Sequence, residues 1–500
     1  MTQPSPSAGV VLTIDIGTSS IRVLAYDRHA HKMSTIEGRR AVDVLSNAHG
    51  AAEVDAKQLC ADLADCIDEV LGQLDAATQP VVAVGMAAMA TTMVGVDAQG
   101  VPVGPMRTYA DTQSDGHARS LRAQLDEAMV HQRTGCMLRP NYWPARFAWL
   151  QSEKHADWQA ATQWLTIGAL VAKEFTGVAQ ITYSEAAWTG LLDRVTLDWD
   201  AAWLAELGVS TGVLAHLQDA DHALPPLTHR WAQRWPQLAQ VPWYGAIGDG
   251  AAANVGSGCI DEQFLALTVG TTGALRIALP GTPQPPPGLW CYRIDRHTAL
   301  VGGATSEGGN VYQWVRQTLR LDGDEAIIQA RLAAYEPDAH GLTILPLYAG
   351  ERSPGWAGDA KATIHGLHLG TSQWDIARAS LEAIALRFGQ IAAALPNTGR
   401  VIASGGALEH SPLWMQICAD VLGRPVYASG VDEATARGVA LLVLRHLRLI
   451  PSLAALPTSP TSVYIPHSGA TERYAMAARR QKHLYDRMVV TPFPDEGYGW

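Results

Sequence analysis

The amino-acid sequence predicts an α/β fold built as two duplicated lobes. Its 500 residues exceed the roughly 250 to 300 at which a single hydrophobic core stops growing, so two domains are expected. Two stretches, VVLTIDIGTSSIRVLAYD (10–27) and FLALTVGTTGALRIAL (264–279), each read as apolar, β-branched strands around a Gly/Thr/Ser turn. Gly17 and Gly270 align and stand about half a chain apart, which signals an internal repeat. Strands alternate with helical segments along both halves, the pattern of an α/β protein.

After the first hairpin, PVVAVGMAAMATTMVGVD (80–97) reads as a buried strand, a Gly/Ala/Met loop and a second strand. Residues 145–154 and 167–177 read as helices, the latter closed by Gly177. The boundary between lobes is expected near residue 240, in WPQLAQVPWYG, giving lobes 1–243 and 244–500. In the second half, residues 373–395 carry Ile376, Leu381, Ile384, Phe388 and Ile391 at helical spacing on one face. VIASGGAL (401–408) reads as a strand running into a glycine turn, followed by helices in 411–423 and 433–447. The proline-rich stretches 280–288 and 456–466 read as loops.

Composition narrows the function. Hydrophobic residues make up 47% and charged residues 17%, as in an ordered globular protein. A net charge of −11 argues against nucleic acid as a partner, since phosphate backbones need a basic face. A local basic pocket for a small anion stays compatible with it. The six cysteines form no CxxC pair, so neither a zinc site nor a disulfide framework is expected. A reducing, cytoplasmic compartment follows. The start, MTQPSPSAG, lacks the basic and apolar regions of a secretory signal, and no apolar run is long enough to span a bilayer. No membrane partner is expected.

Three motifs suggest chemistry. A hairpin turn of Gly, Thr and Ser offers backbone N–H groups and hydroxyls to an anion. Two such turns facing each other from duplicated lobes would clamp a phosphate. Only the first turn carries a carboxylate, Asp15, where the second has Thr268. A lone carboxylate beside phosphates suits Mg²⁺, usually through water; the alternative is a turn residue bonding its own backbone. In AIGDGAAANVGSG (246–258), Asp249 is the one charged residue among glycines and alanines. It reads either as a helix cap or as a reactive carboxylate with room beside it for a substrate.

ATIHGLHLGTSQWDIARASLE (362–382) brings Gly366, Leu367, Asp375, Ile376, Ala379, Ser380, Leu381 and Glu382 into one pattern. In that pattern the chain is similar to the FGGY family of carbohydrate kinases, from about residue 10 to 445. The family's first signature is altered in RPNYWPARFAWLQSE, where Arg146 replaces the usual lysine and Trp143 a small residue. The resemblance implies the two-lobed, actin/hexokinase-like (ribonuclease H-like) ATPase fold with a cleft between the lobes. It implies ATP and Mg²⁺ as cofactors and a small sugar as substrate; a homodimer is compatible with it. By position, it puts Asp15 near Mg²⁺ and Gly17, Thr18, Ser19 and Ser20 near the transferring phosphate. Gly270, Thr271 and Thr272 form the second phosphate turn. Gly405, Gly406 and Ala407 lie against the adenosine, with His410 one turn further along the nucleotide. Gly309 and Gln313 contact ATP. Asp249 becomes the catalytic base, near both substrate and metal.

The assigned role suits the chemistry. Phosphoryl transfer is mostly positioning and charge stabilisation, and an acceptor hydroxyl needs a carboxylate in reach to take its proton. Among the subfamilies, segments 181–200, 268–276, 302–314, 345–356 and 411–423 resemble gluconokinases. D-gluconate or a close sugar acid is the expected substrate, with a ketopentose or polyol kinase as the alternative. A non-catalytic nucleotide-binding regulator is a third reading. Asp111 in YADTQS would bond sugar hydroxyls, and Met89, Ala90, Asn141, Tyr142 and Trp188 would line the sugar site. Two departures touch that site: Ala90 where histidine is usual and Gln113 where arginine is usual. Both remove hydrogen-bond donors, through which such sites discriminate. Arg139 or Arg146 could supply the missing cation.

Overall fold

The structure is a computed structural model and describes residues 9–396 and 399–491. The segment MTQPSPSA, read above for its lack of a signal pattern, lies outside the described residues.

Each lobe is organised by a mixed sheet. In the first, the order is Trp243–Gly248, Val81–Ala88, Val10–Ile16, Ser20–Tyr26, Lys32–Ala41. The first three strands run parallel and the last two steps are antiparallel. In the second, Val426–Ala428, Arg400–Ser404, Phe264–Val269, Gly273–Pro280 and Thr298–Thr305 repeat that order and those directions. The duplication read from two hairpins therefore extends to five strands. The central hairpins are buried because their strands are almost wholly apolar and sandwiched between helical layers.

The helices at 143–153, 167–176 and 373–393 fall where periodicity put them. The proline-rich stretch 456–466 differs from the loop expected. Ser462–Tyr464 adds an antiparallel edge strand to Val426–Ala428. The prolines flank it rather than interrupt it, so its ladder N–H groups remain.

The lobes interlock. The strand Trp243–Gly248 straddles the expected boundary and pairs with Val81–Ala88, so a cut at 243/244 runs through a strand of the first sheet. The helix Ala434–His446, from the end of the chain, shares a hydrophobic core with the first lobe. It also crosses the helix Asp249–Gly256 at very short range through Gly438 and Gly256. A separate five-stranded sheet, Leu45–Ser46, Ala52–Val54, Pro102–Arg107, Met93–Val96 and Gln163–Leu165, projects from the first lobe. It carries the loop with Asp111.

One buried acid sits in this frame with a measurable consequence. Glu185 is 5% exposed and its Oε1 accepts the Gly168 N–H at 3.3 Å. Burial pushes its pKa from 4.5 up to about 8. The folded protein keeps this proton up to about pH 8, whereas the unfolded chain releases it above about 4.5. Stability is therefore lost as pH rises between those values, by a few kcal/mol in all. Glu185→Gln keeps the acceptor and removes the charge. Thermal unfolding should show the variant close to the parent at pH 4.5 and well above it at pH 8.

Candidate active site

Asp249 opens the helix Asp249–Gly256 directly at the end of the strand Trp243–Gly248. Its Oδ1 accepts the Gly250 N–H at 2.7 Å, and no hydrogen bond to Oδ2 occurs among the described residues. The flanking glycines answer to neighbours in the protein itself. A Cβ on Gly248 would lie 2.8 Å from the Trp188 ring; one on Gly250 would lie 3.1 Å from it and 3.3 Å from Arg276 Nε. The small residues thus admit an indole and a guanidinium against the carboxylate. Burial raises the Asp249 pKa, while the Gly250 N–H and the charge of Arg276 oppose the rise.

Asp15, 1% exposed, ends the inner strand of the first hairpin. Its Oδ2 pairs with Arg22 Nη2 at 2.7 Å, and Arg22 Nη1 reaches across to Glu433. Burial lifts the Asp15 carboxyl from 3.8 to about 7, against the pull of Arg22; Asp249 and Glu433 push it further up. Two carboxylates, Asp15 and Glu433, thus meet on one arginine from the first hairpin, with Asp249 near Asp15 and Arg276 beside Asp249. The excess of acceptor oxygens fits a divalent cation; Asp15 and Asp249 would hold it, and Arg22 would have to yield its place.

Three loops from distant parts of the chain meet at the second hairpin. The Gly309 N–H donates to the Gly270 carbonyl at 2.7 Å and the Asn310 N–H to Thr271 at 3.2 Å. Thr268 and Ser404 share a hydroxyl contact at 3.2 Å. Gly405, with φ +98°, lies so close to Val269 that a Cβ would sit 2.5 Å from its carbonyl. Gly309 and Gly405 are thus packing glycines. Gly270 faces open space, and Gly406 has only His410 Nδ1 at 3.9 Å, so both leave free volume beside the second hairpin. The exposed His410 ring bonds back to the Gly406 carbonyl at 2.7 Å, while Gln313 is exposed on the helix Gly309–Thr318. Thr18 and Ser19 form the turn of the first hairpin and Ser20 opens its second strand, the turn being closed by the Gly17 N–H on the Ser20 carbonyl at 3.0 Å.

The sugar-side residues separate into two groups. Asp111 and Asn141 line a cavity of about 540 Å³ between the lobes, with Ser306, Arg352 and Trp356 on the opposite wall. Met89 is buried and its N–H donates to Ile16 at 2.8 Å, with Ala90 following half-buried. These two sit beside the first hairpin turn. Tyr142 is fully buried and its hydroxyl bonds that of Tyr292 from the other lobe. Trp188 stacks on Tyr292 at 4.5 Å. Tyr142 therefore closes an aromatic contact between lobes. Arg146 offers no cation to the cavity. It is wholly buried, with its guanidinium on the carbonyls of Thr91, Thr108 and Pro140. Gln113 lies outside the cavity lining; its amide donates to Asp111 at 2.8 Å and Glu53 at 3.0 Å.

One further cluster has metal-like composition: Asp338, His340 and Glu382. Its atoms are committed elsewhere. His340 Nδ1 accepts the Leu342 N–H at 3.0 Å and Nε2 faces Glu382 at 2.9 Å. Glu382 also takes Arg378 and Tyr474, and Asp338 takes Arg480. This explains the 362–382 signature physically: Ser372 and Asp375 form a capping box and Glu382 anchors the buried face of the helix.

Sequence reasoning missed Arg22, Arg276, Glu433 and Arg352. The signal for the first two was present: each is a lone charge in the apolar second strand of its hairpin.

A duplicated fold of this kind, with a glycine-containing hairpin turn in each lobe and the half-buried Asp249 at a strand end, is that of a two-lobed phosphotransferase, and the sequence comparisons bear this out. The chain matches the N-terminal domain of the FGGY family of carbohydrate kinases over residues 10–256 and its C-terminal domain over 265–447. It belongs to that family, and is an ATP-dependent kinase acting on an alcohol group of a small sugar-type substrate. It is 26% identical to a gluconokinase of Bacillus subtilis over 396 residues, 75% of this chain and 76% of that protein. It is 28% identical to a glycerol kinase of Stenotrophomonas maltophilia over 86% of this chain and 88% of that one. A crystal structure of gluconate kinase from Lactobacillus acidophilus superimposes with TM-score 0.91 at 22% identity, covering 97% of this chain and 99% of that one. Among the described residues no helix is long and apolar enough to cross a membrane.

Proposed function

We propose that this chain transfers the γ-phosphate of Mg²⁺-ATP to a hydroxyl of D-gluconate or a close sugar acid, with Asp249 as general base. The observation that carries this reading is the placement of Asp249 and Asp15 at the same end of one parallel sheet, on the two strands that flank Val81–Ala88: Asp15 pairs with Ala87, and Gly248, next to Asp249, pairs with Ala88. Asp15 adjoins the turn at Gly17–Ser20, so a phosphoryl group held there stands next to the base. Asp249 Oδ2 takes the proton of the acceptor hydroxyl as its oxygen bonds to phosphorus and ADP departs. Burial raises the Asp249 pKa, which strengthens it as a proton acceptor, while the Gly250 N–H and Arg276 act against the rise. Mg²⁺, when bound near Asp15, supplies neutralisation of the phosphate charge. Gly270 and Gly406 would admit the nucleotide, and Asp111 would accept from sugar hydroxyls.

The relatives named gluconokinase support the acid substrate. So does the cavity, where the Gln113 amide donates to Asp111 at 2.8 Å and so supports that carboxylate. ADP release should be measured on D-gluconate, D-xylulose, D-ribulose, L-ribulose, glycerol and erythritol. Turnover should be strongest on gluconate; preference for a ketopentose or polyol would replace the acid reading.

A further inference from the structure

We infer that Arg352 is the specificity-determining residue of this site: it receives the carboxylate of the acidic sugar, opposite the hydroxyl-binding Asp111. The inference rests on the sugar-acid reading above and names the group that enforces it.

Charge accounting inside the interlobe cavity leads to it. Four arginines line the cavity. Arg119 is paired with Asp115 at 2.9 Å and Asp359 at 3.3 Å. Arg139 is paired with Glu127, outside the cavity, and packs over Trp356 at 5.5 Å. Arg122 donates to the Leu138 carbonyl at 2.7 Å from the rim of its own lobe. Arg352 has no ion pair or side-chain hydrogen bond among the described residues; its guanidinium lies over the Tyr109 ring at 6.0 Å. A ring under the face of a guanidinium leaves the N–H edge free.

The acids balance differently. Glu351 is taken by Arg387 and Tyr485. Asp111, 1% exposed, holds only neutral donors: the Ala52 N–H at 3.0 Å, and the Gln113 amide at 2.8 Å and N–H at 3.2 Å. Among the described residues the cavity therefore presents one cation without an ion pair on the second lobe and, on the first, a carboxylate hydrogen-bonded only to neutral donors, with the buried Arg107 and Arg146 charges behind it. A polyhydroxy acid complements both, with hydroxyls donating to Asp111 and its carboxylate gripped by the guanidinium fork.

Arg352 is also held in place for this task. The Trp356 N–H donates to its carbonyl at 2.7 Å, the Ser353 N–H to Ala304 at 2.9 Å and the Glu351 N–H to Ala357 at 2.9 Å. Its charge reaches Arg276, the neighbour of Asp249, which ties the cavity to the base.

The test compares D-gluconate with D-glucitol, which replaces the carboxylate by a neutral CH₂OH and keeps the remaining hydroxyls. Parent, Arg352→Gln and Arg352→Lys are assayed for ADP release, with KM for ATP and thermal unfolding as references. The parent should favour gluconate. Arg352→Gln should raise the gluconate KM on the order of 10- to 150-fold, the range for a hydrogen bond to a charged group, and bring the gluconate/glucitol ratio of kcat/KM close to one. Arg352→Lys should fall between, keeping the charge and losing the fork. If Arg352→Gln folds and retains the parental ratio, the assignment of Arg352 is wrong while the sugar-acid reading stands. If the parent itself prefers glucitol and other neutral sugars, the sugar-acid reading fails and the role of Arg352 falls with it.

Discussion

Asp249→Asn should lower kcat for sugar phosphorylation by about 10²- to 10⁴-fold, the usual contribution of a positioned general base. Asparagine has the shape of aspartate, so its side-chain oxygen still accepts the Gly250 N–H that now meets Oδ1 at 2.7 Å. The helix start, the Trp188 contact and the Arg276 contact all survive. What is lost is the ability to accept a proton. Nucleotide affinity should change little, because the open glycine faces at Gly270 and Gly406 belong to other loops. Coupled ADP release gives the rate, and calorimetry with ATP or a non-hydrolysable analogue gives the affinity. A variant with kcat within tenfold of the parent would falsify the assignment of the base. A variant that loses ATP binding as well would indicate that Asp249 acts chiefly through the cation shared with Asp15.

Local signals were legible in the chain and distant ones were not. The hairpins at Gly17 and Gly270 could be read because strand, turn and strand are consecutive. The same holds for the helix 373–393, whose periodicity and capping box are local. Asp249 stood out through its small neighbours, yet the reason for them was hidden. Gly248 and Gly250 make room for Trp188, some sixty residues upstream, and for Arg276 on the next hairpin. The partners of Asp15 were out of reach for the same reason: Arg22 meets Glu433 across almost the whole chain. Arg146 and Arg352 show the limit most clearly. Both are arginines near sugar-side motifs, but one is spent on three backbone carbonyls and the other has no ion pair among the described residues. Only the packing of loops from both lobes distinguishes them.

Gly438→Ala should destabilise the protein by about 3 kcal/mol or more, at or above the upper end for overpacked cores. Gly438 lies in the helix Ala434–His446, where alanine is otherwise favoured over glycine by up to about 1 kcal/mol. Here the added Cβ would lie 1.9 Å from the Ala252 carbonyl oxygen and 2.9 Å from the Gly256 nitrogen. Both are backbone atoms of the helix that begins with Asp249, so no side-chain rotation relieves the clash. The reverse contact is as tight: a Cβ on Gly256 would lie 1.7 Å from the Ala434 carbonyl oxygen. Relief requires the two helices to separate, and Arg437, which donates to the Gly256 carbonyl at 2.6 Å, would be pulled from its acceptor. A fold that survives must displace the helix carrying the base, so residual protein should also lose kcat. The contrasting case is Gly72 in the helix Ala56–Gln73, where an added Cβ meets nothing within 4 Å. Gly72→Ala should be neutral or stabilising by about 0.5 to 1 kcal/mol. Urea unfolding of both variants beside the parent separates helix propensity from the crossing itself. Equal stability of Gly438→Ala and parent would mean that the helix bearing Asp249 does not pack against Ala434–His446 at this distance in solution.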